Sequence, residues 1–342
     1  MWSQLSVIPS PPPVREQQVP TTMQAAVLVA PRMVEIHETP VPEPAPHEVL
    51  VRLEGCGVCG SNLPVWEGRE WFQYPLEPGK PGHEAWGRIA QLGAEAARIT
   101  NLAVGDRVAI LSYAGFAEYD VAAATDVVKL PPALEEDPFP GEPLACAMNV
   151  FARSGIQPGQ TVAIIGIGFL GALLTDLAAN AGARVIAITR RSFALEIARR
   201  FGATHTIVMD DHWRIIDEVK AITADKGCDC VVEAVGLQWP LDLATELTCV
   251  RGRLVIAGYH QDGPRQVNMQ LWNWRGLDVI NAHERDNAVY VAGLSRAVSA
   301  VATGQIDPQP LYTHTFALNE LGEAFSLMEE RPSGFIKSLI TL

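Results

Sequence analysis

The sequence predicts an α/β protein built from two unlike parts, and three observations lead to that prediction. Residues 24–130 hold short β-type runs that Gly and Pro interrupt, as in an irregular, strand-rich domain. From about residue 159, apolar strand-like runs alternate with helical patterns, which is typical of a parallel sheet covered by helices on both faces. A glycine-rich turn stands directly between the first of those strands and its helix.

The strand-rich part carries four strand candidates, residues 25–29, 49–53, 107–111 and 117–121. A stiff, proline-rich connector, PVPEPAP, occupies residues 40–46. Before these strands, residues 1–22 contain three consecutive prolines and no continuous apolar stretch, unlike a secretory signal. We expect these first residues to be a flexible extension.

In the second part, residues 161–165 are continuously apolar, as a strand buried on both faces requires. Apolar residues then recur at helical spacing up to Ala181, where Gly182 would end the helix. Further strands are predicted at residues 184–188, 206–209, 229–233, 253–257 and 277–280, with helices over 195–201 and 291–303. The tail after the last helix could fold back on the first domain.

Composition excludes several classes of function. The net charge of −13 argues against a nucleic-acid binder, which normally shows a basic face. No apolar run approaches the ~20 residues of a membrane span, so no membrane partner is expected. A chain of 342 residues does not need disulfide staples, so we expect its six cysteines to be reduced thiols in a cytoplasm.

Residues 166–171 form a G-x-G-x-x-G turn that follows a buried strand and opens an amphipathic helix, which indicates a dinucleotide fingerprint rather than a plain structural turn. Gly166 permits the tight turn, Gly168 lets the backbone approach the pyrophosphate, and Gly171 lets helix and strand pack closely. Phe169 and Leu170 begin the helix, at whose positive end the pyrophosphate would sit.

The end of the second strand favours NADP(H) over NAD(H). An NAD binder usually has a carboxylate there, about 20 residues beyond the glycines, to accept bonds from the ribose hydroxyls. This chain has Thr189, Arg190, Arg191 and Ser192 instead. Two guanidinium groups and two hydroxyls suit a 2′-phosphate, although both arginines could be surface charges on a loop.

Three segments of the chain carry candidate metal ligands: residues 55–62 (GCGVCGSN), 82–87 (GHEAWG) and 141–146 (GEPLAC). Cys56 and Cys59 alone could be redox-active or half of a zinc knuckle, but no cysteine lies between residues 61 and 145 to complete a four-cysteine site. A thiolate, an imidazole and carboxylates from separate segments suit a catalytic zinc, which needs an exchangeable position.

With these motifs in place, residues 24–342 resemble the medium-chain dehydrogenase/reductase superfamily, in its zinc-dependent alcohol and polyol dehydrogenase branch. The resemblance is carried by GVCGS at 57–61, GHE at 82–84, EPL at 142–144, the glycine turn, and EAVG at 233–236. It implies a GroES-like catalytic domain of residues 23–155 and 295–342, with a Rossmann NADP-binding domain of residues 156–294 between them. Relatives pair their nucleotide-domain sheets edge to edge, so a homodimer or homotetramer is expected through residues 277–280.

The resemblance also implies the roles of individual residues. Cys59 and His83 match zinc ligands, Glu84 can ligate or stand just behind the metal, and Glu142 matches a carboxylate that exchanges with water. Ser61 matches the hydroxyl that takes the proton from the alcohol, although it could simply cap the turn after Cys59. Cofactor contacts are expected from Ala234, Val235 and Gly236. Cys56 matches a packed, non-ligating cysteine, and the lobe that holds a second, structural zinc is absent.

Two departures from the family pattern stand near the metal segments. Asn62 replaces an Asp that steadies the ligand histidine; its amide can still accept a bond from the imidazole but adds no charge. Pro64 replaces a polar group that often ends the proton relay, so the proton must leave another way.

The substrate is expected to be a small alcohol or carbonyl compound, with a polyol, cyclitol or sugar-like secondary alcohol favoured. The reason is a set of aromatic and charged residues that could line a pocket or equally pack in a core: Trp66, Glu67, Arg69, Glu70, Trp71, Phe72, Trp86, Trp272 and Trp274. Two alternatives remain open at this point, a zinc-free quinone or enoyl reductase of the same fold and a non-catalytic NADP-binding sensor.

Overall fold

The computed structural model describes residues 19–342, so most of the expected flexible extension lies outside the described residues. Within that range the strands are β1 (Thr22–Ala30), β2 (Met33–Pro40), β3 (Glu48–Gly57), β4 (Ala85–Leu92), β5 (Arg107–Ile110), β6 (Tyr119–Ala123), β7 (Val127–Lys129), β8 (Thr161–Ile165), β9 (Arg184–Thr189), β10 (His205–Val208), β11 (Cys228–Glu233), β12 (Thr248–Ile256), β13 (Asp278–Asn281), β14 (Tyr312–Ala317) and β15 (Lys337–Thr341). The α-helices are α1 (Leu63–Glu67), α2 (Ala96–Ile99), α3 (Gly141–Ser154), α4 (Phe169–Asn180), α5 (Ser192–Arg200), α6 (His212–Thr223), α7 (Gln238–Leu247), α8 (Met269–Arg275), α9 (Asn287–Ala302) and α10 (Leu321–Glu330).

The strand-rich part is a GroES-like sheet with the order β14-β15-β3-β4-β5-β7, in which β6 also pairs with β3. The hairpin β1–β2 packs beside it. β15 comes from the end of the chain and pairs antiparallel with β3, so that Ile340 lies opposite Cys56. The tail therefore folds back on the first domain, as expected, and its last strand lies next to the segment that leads to Cys59.

The second part is a six-stranded parallel sheet with the order β10-β9-β8-β11-β12-β13, the doubly wound arrangement that the alternation of elements predicts. All five residues of β8 are buried, which explains why every residue of that strand after Thr161 is apolar. The chain reverses its direction of winding between β8 and β11. Ligands of such sheets bind outside the carboxyl ends of the strands at this point.

Helices α3 and α9 join the two parts. They pack side by side, and one buried apolar cluster runs from Trp86 and Ala109 of the first sheet through Leu144 and Leu294 to Val162 of the second. No helix within residues 19–342 has the length and apolar character needed to cross a membrane.

The structure contains helices that the sequence patterns did not reveal, among them α3, α6, α7 and α8. Helix α3 begins at the EPL motif, with Pro143 in its first turn, where proline needs no backbone donor. Helix α6 begins at a conventional N-cap, because the Asp211 side chain accepts from the backbone N–H of Arg214. Of these helices, α3 carries Glu142 in its first turn.

Candidate metal centre and nucleotide site

The antiparallel pairing of β3 and β4 brings two of the predicted ligands together. Cys56 lies opposite Ala85, so the chain just after β3 and the chain just before β4 run side by side. Cys59 follows β3 and His83 precedes β4. The ligand atoms of Cys59, His83 and Glu84 all lie within 4.8 Å of one another.

The ring of His83 is oriented by a backbone carbonyl. Its Nδ1 donates to the carbonyl oxygen of Pro81 at 2.9 Å, so Nε2 is the ring nitrogen on the side of the centre and the one that can bind a metal ion once it has lost its proton. We had expected the Asn62 amide to accept this bond. Asn62 instead donates from Nδ2 to the same carbonyl at 3.4 Å, because Pro81 stands between the two side chains. A ligating histidine typically has its other nitrogen fixed in this way.

The site concentrates negative charge around His83. Burial lowers the pKa of His83, but the nearby Cys59, Glu142 and Glu84 raise it, and the net result is a pKa well above the usual value. A histidine surrounded by anionic groups is a place where positive charge is stabilised. The donor set, one sulfur, one imidazole nitrogen and carboxylate oxygens, is the set that zinc prefers, so the residues present fit a zinc ion.

Glu84 forms an ion pair with a lysine that the sequence analysis missed. Glu84 is fully buried, Lys337 is 5% exposed, and Lys337 Nζ donates to Glu84 Oε1 at 2.6 Å. Burial lowers the pKa of Lys337, but Glu84, Cys59 and Glu142 together raise it above its usual value, so the ammonium keeps its proton. Gly57 makes room for the pair, since a Cβ there would lie 1.8 Å from Glu84 Oε2. A lysine beside the apolar pair Leu339 and Ile340 of β15 was the available signal.

Glu142 lies in the first turn of α3, close enough to His83 to affect its pKa. Its Oε1 accepts a hydrogen bond from the hydroxyl of Tyr290, on α9. Cys146, one turn further along α3, lies 2.7 Å from the same hydroxyl and 3.5 Å from the carboxylate. Glu142 lies near Cys59, His83 and Glu84, but it is not one of the residues whose ligand atoms all lie within 4.8 Å of one another.

Ser61 lies within the same centre. Its Oγ is 3.2 Å from Cys59 Sγ and 3.5 Å from His83 Nε2. The hydroxyl thus contacts both predicted ligands of the centre. Such a position suits a group that exchanges a proton with a bound alcohol.

The three glycines of the turn after β8 have different surroundings. Gly166 has φ of +95°, and a Cβ on Gly171 would lie 1.9 Å from the carbonyl oxygen of Gly166, so close helix–strand packing requires glycine there. A Cβ on Gly168 would meet no atom of the described residues within 4 Å. The first turn of α4, with Phe169 and Leu170, receives no side-chain cap. Open space beside uncapped N–H groups suits a phosphate.

The residues at the end of β9 and directly after it differ in their exposure to solvent. Thr189, the last residue of the strand, is buried, and Arg190 is exposed. Arg191 donates to the carbonyl oxygen of Ile167 at 3.2 Å and to that of Phe335, so it links the glycine turn to the C-terminal segment. Burial and then the nearby Arg331 and Arg190 lower the pKa of Arg191. No carboxylate among residues 19–342 forms an ion pair with these three arginines.

The loop after β11 is held by a buried carboxylate. Glu233 Oε1 accepts from the backbone N–H groups of Val235 at 2.6 Å and Gly236 at 2.9 Å, and its Oε2 lies 2.9 Å from His260 Nε2. Ala234 precedes them and donates from its backbone to the end of β8. The sequence analysis gave His260 no role, because its partner is 27 residues away.

A cavity of about 340 Å³ opens at the carboxyl ends of β12 and β13, beside this loop. Tyr259, His260, His283 and Arg285 are among the residues that line it. It lies at the edge of the sheet where the fold binds ligands.

The remaining cysteines and the tryptophans differ in their burial. Cys56, Cys228 and Cys230 are buried as expected, whereas Cys249 is only half-buried. Trp66 and Trp86 are each 3% exposed and belong to the cores of the protein. Trp66 stacks on Phe325, with ring centroids 5.1 Å apart. Trp274 is 85% exposed and Trp71 is 54% exposed.

Comparisons with known proteins agree with this geometry. Residues 45–132 match the alcohol dehydrogenase GroES-like domain, and residues 170–296 match the zinc-binding dehydrogenase domain. The chain is 30% identical to a sorbitol dehydrogenase of Gallus gallus, covering 85% of this chain and 88% of that protein. It is 28% identical to a sorbitol dehydrogenase of Bacillus subtilis, covering 90% and 93%.

A solved structure described as a zinc-binding dehydrogenase from Sinorhizobium meliloti 1021, bound to NADP, is similar with a TM-score of 0.79 and 28% identity. That match covers 94% of this chain and all of the other.

Proposed function

Because the chain belongs to the zinc-dependent alcohol and polyol dehydrogenase branch of the medium-chain dehydrogenase/reductase superfamily, we propose that it uses one zinc ion and NADP(H) to interconvert a secondary alcohol and its ketone. Relatives named as sorbitol, arabinitol and threonine dehydrogenases support the alcohol dehydrogenase activity. The zinc, the preference for NADP(H) and the polyol-like substrate are the proposed parts.

The observation that carries the proposal is the convergence of the ligand atoms of Cys59, His83 and Glu84 within 4.8 Å, with Nδ1 of His83 bonded to the Pro81 carbonyl and Nε2 on the side of the centre. We assign Cys59 and His83 as ligands and Glu142 as the exchangeable carboxylate. Glu84 can also ligate, but its contact with Lys337 favours a place just behind the ion.

A zinc ion held by these residues would lower the pKa of a bound alcohol and polarise a bound carbonyl. Ser61 takes the alcohol proton at its Oγ and passes it towards water or the ribose. The glycine turn and the start of α4 would hold the pyrophosphate of the nucleotide, whose nicotinamide would supply or accept the hydride.

The zinc proposal is tested by NADPH-linked reduction of a carbonyl panel. Activity should disappear after chelation and return when zinc is added, and Cys59→Ser should be inactive with or without added zinc. Activity that survives complete chelation would instead support the zinc-free reductase.

The preference for NADP(H) rests on Arg190 and on its neighbours Arg191 and Arg331, which have no acidic partner among residues 19–342. An exposed guanidinium in such a cluster is available to a phosphate. Fluorescence titration should give tighter binding of NADPH than of NADH, and Arg190→Ala should weaken NADPH binding about tenfold while leaving NADH binding unchanged. Equal effects on both nucleotides would contradict the assignment.

The proposed substrate class is tested with matched polyols, cyclitols and simple secondary alcohols. Vicinal hydroxyls should raise kcat/KM relative to a simple alcohol of the same length. Cofactor binding without turnover of any compound, in protein that holds zinc, would support the sensor alternative, which the Asn62 and Pro64 departures motivate.

We also propose the domain division at residues 155/156 and 294/295, with residues 23–155 and 295–342 forming the catalytic domain. The edge strand β13 has one side without a partner strand among residues 19–342 and could pair with a second copy of the chain. Light scattering should therefore find a dimer or tetramer, and a monomer at micromolar concentration would contradict this.

A further inference from the structure

Tyr290 lies on α9, and its hydroxyl contacts Glu142 of the candidate metal centre on the neighbouring helix α3. Its hydroxyl donates to Glu142 Oε1 and lies 2.7 Å from Cys146 Sγ. The residue is on α9, which packs along α3, the helix that carries both of its partners. Among the described residues, only Tyr290 and Cys146 donate a side-chain hydrogen bond to the Glu142 carboxylate.

The direction of each hydrogen bond follows from counting protons. An ionised carboxylate can only accept, so the single phenolic proton of Tyr290 points at Glu142. The thiol of Cys146 then donates to the phenolic oxygen or to the carboxylate.

With Oε1 of Glu142 engaged by the phenol, Oε2 is the oxygen left for a cation. The hydrogen bond also keeps the carboxylate from turning. A carboxylate without this partner would turn among several orientations, and binding a cation would cost the entropy of fixing it.

We propose that Tyr290 is a positioning residue that holds Glu142 for the metal, so that the phenol sets how tightly this centre binds zinc. This inference rests on the proposed function, since it takes Glu142 as a zinc ligand. Tyr290 acts through Glu142 and touches neither the substrate nor the ion. Groups that orient ligating carboxylates typically contribute 10- to 100-fold to metal affinity.

The test is the zinc dissociation constant of Tyr290→Phe, measured by competition with a chelator of known affinity. Phenylalanine keeps the ring and its packing and removes only the hydroxyl. We expect zinc to bind 10- to 100-fold more weakly. Tyr312→Phe is the matched control, because the Tyr312 hydroxyl is also buried but has no hydrogen-bond partner among the described residues, and it should leave zinc affinity unchanged.

Two further readouts separate positioning from a merely structural effect. The visible absorption of the Co²⁺-substituted protein, which depends on ligand number and geometry, should change in Tyr290→Phe and not in Tyr312→Phe. On a Glu142→Gln background, Tyr290→Phe should have no additional effect on zinc affinity, because its route of action is already removed.

Zinc affinity that is unchanged or tighter in Tyr290→Phe would overturn the inference and leave the proposed function intact. An effect of equal size on the Glu142→Gln background would also overturn it, since Tyr290 would then act by another route. A wild-type protein that binds no zinc would overturn the proposed function itself, and this result is distinguishable because it needs no variant.

Discussion

The buried ion pair between Glu84 and Lys337 gives a prediction whose size can be worked out from the structure. Lys337→Met keeps the length and the apolar stem of the side chain and removes the ammonium. Glu84 is fully buried and has no other cationic partner among the described residues, so its charge would be left without compensation. Removing one partner of a buried pair costs about 3–5 kcal/mol.

That cost converts to a melting shift through the entropy of unfolding. For 342 residues this entropy is about 0.7 kcal/mol/K, so the loss corresponds to a fall in Tm of about 4–7 °C. The measurement is thermal unfolding followed by circular dichroism, in the presence of a chelator. Chelation matters because a bound zinc ion would partly compensate Glu84 and hide the effect.

The double variant Lys337→Met/Glu84→Gln serves as the control for this reasoning. It removes both charges, so it should be more stable than Lys337→Met alone, and the recovery measures the coupling of the two groups. A Tm for Lys337→Met within 1 °C of wild type, or a double variant no more stable than the single one, would refute the reasoning.

Three further predictions follow from particular positions. Gly168→Ala should fold normally, because its Cβ would meet no described atom within 4 Å, yet weaken NADPH binding at least tenfold; unchanged affinity in fluorescence titration would show that the phosphate lies elsewhere. Gly171→Ala should instead lower Tm, because its Cβ would lie 1.9 Å from the carbonyl oxygen of Gly166, and a wild-type melting curve would contradict this. Burial raises the pKa of Asp176 to about 6, so its charged form destabilises the native state as the pH rises from about 4 through 6. Because Asp176 is partly exposed, Asp176→Asn should raise stability at pH 7 by only about 1 kcal/mol, or 1–2 °C in Tm, with the gain largely gone near pH 4; an equal gain at both pH values would rule this out.

Local patterns were sufficient to predict much of the fold. The apolar run that ends at Ile165 predicted β8, because a strand that is buried on both faces needs apolar residues at successive positions. The glycine turn could be interpreted residue by residue, and the 1.9 Å approach at Gly171 is the close packing that its glycine implies. The pairing of β15 with β3 was harder, because residues 337–341 carry no local signal for their partner.

The candidate site was only partly predictable. Cys59 and His83 stood out through the spacing of their motifs, but Tyr290 and Lys337 did not, because each meets its partner across more than 140 residues. The sequence left Trp66 and Trp86 open between pocket wall and core for a similar reason, since a tryptophan suits both places. Such contacts depend on how helices and strands pack together, which periodicity does not describe.

The central claim, one catalytic zinc held by Cys59, is tested most directly by the zinc content of purified protein. Elemental analysis should find about one zinc per chain in the wild type and in Cys56→Ser, whose buried thiol is not among the clustered ligand atoms, and little in Cys59→Ser. Wild-type protein purified without chelator that contains no zinc and takes up none on addition would contradict the account.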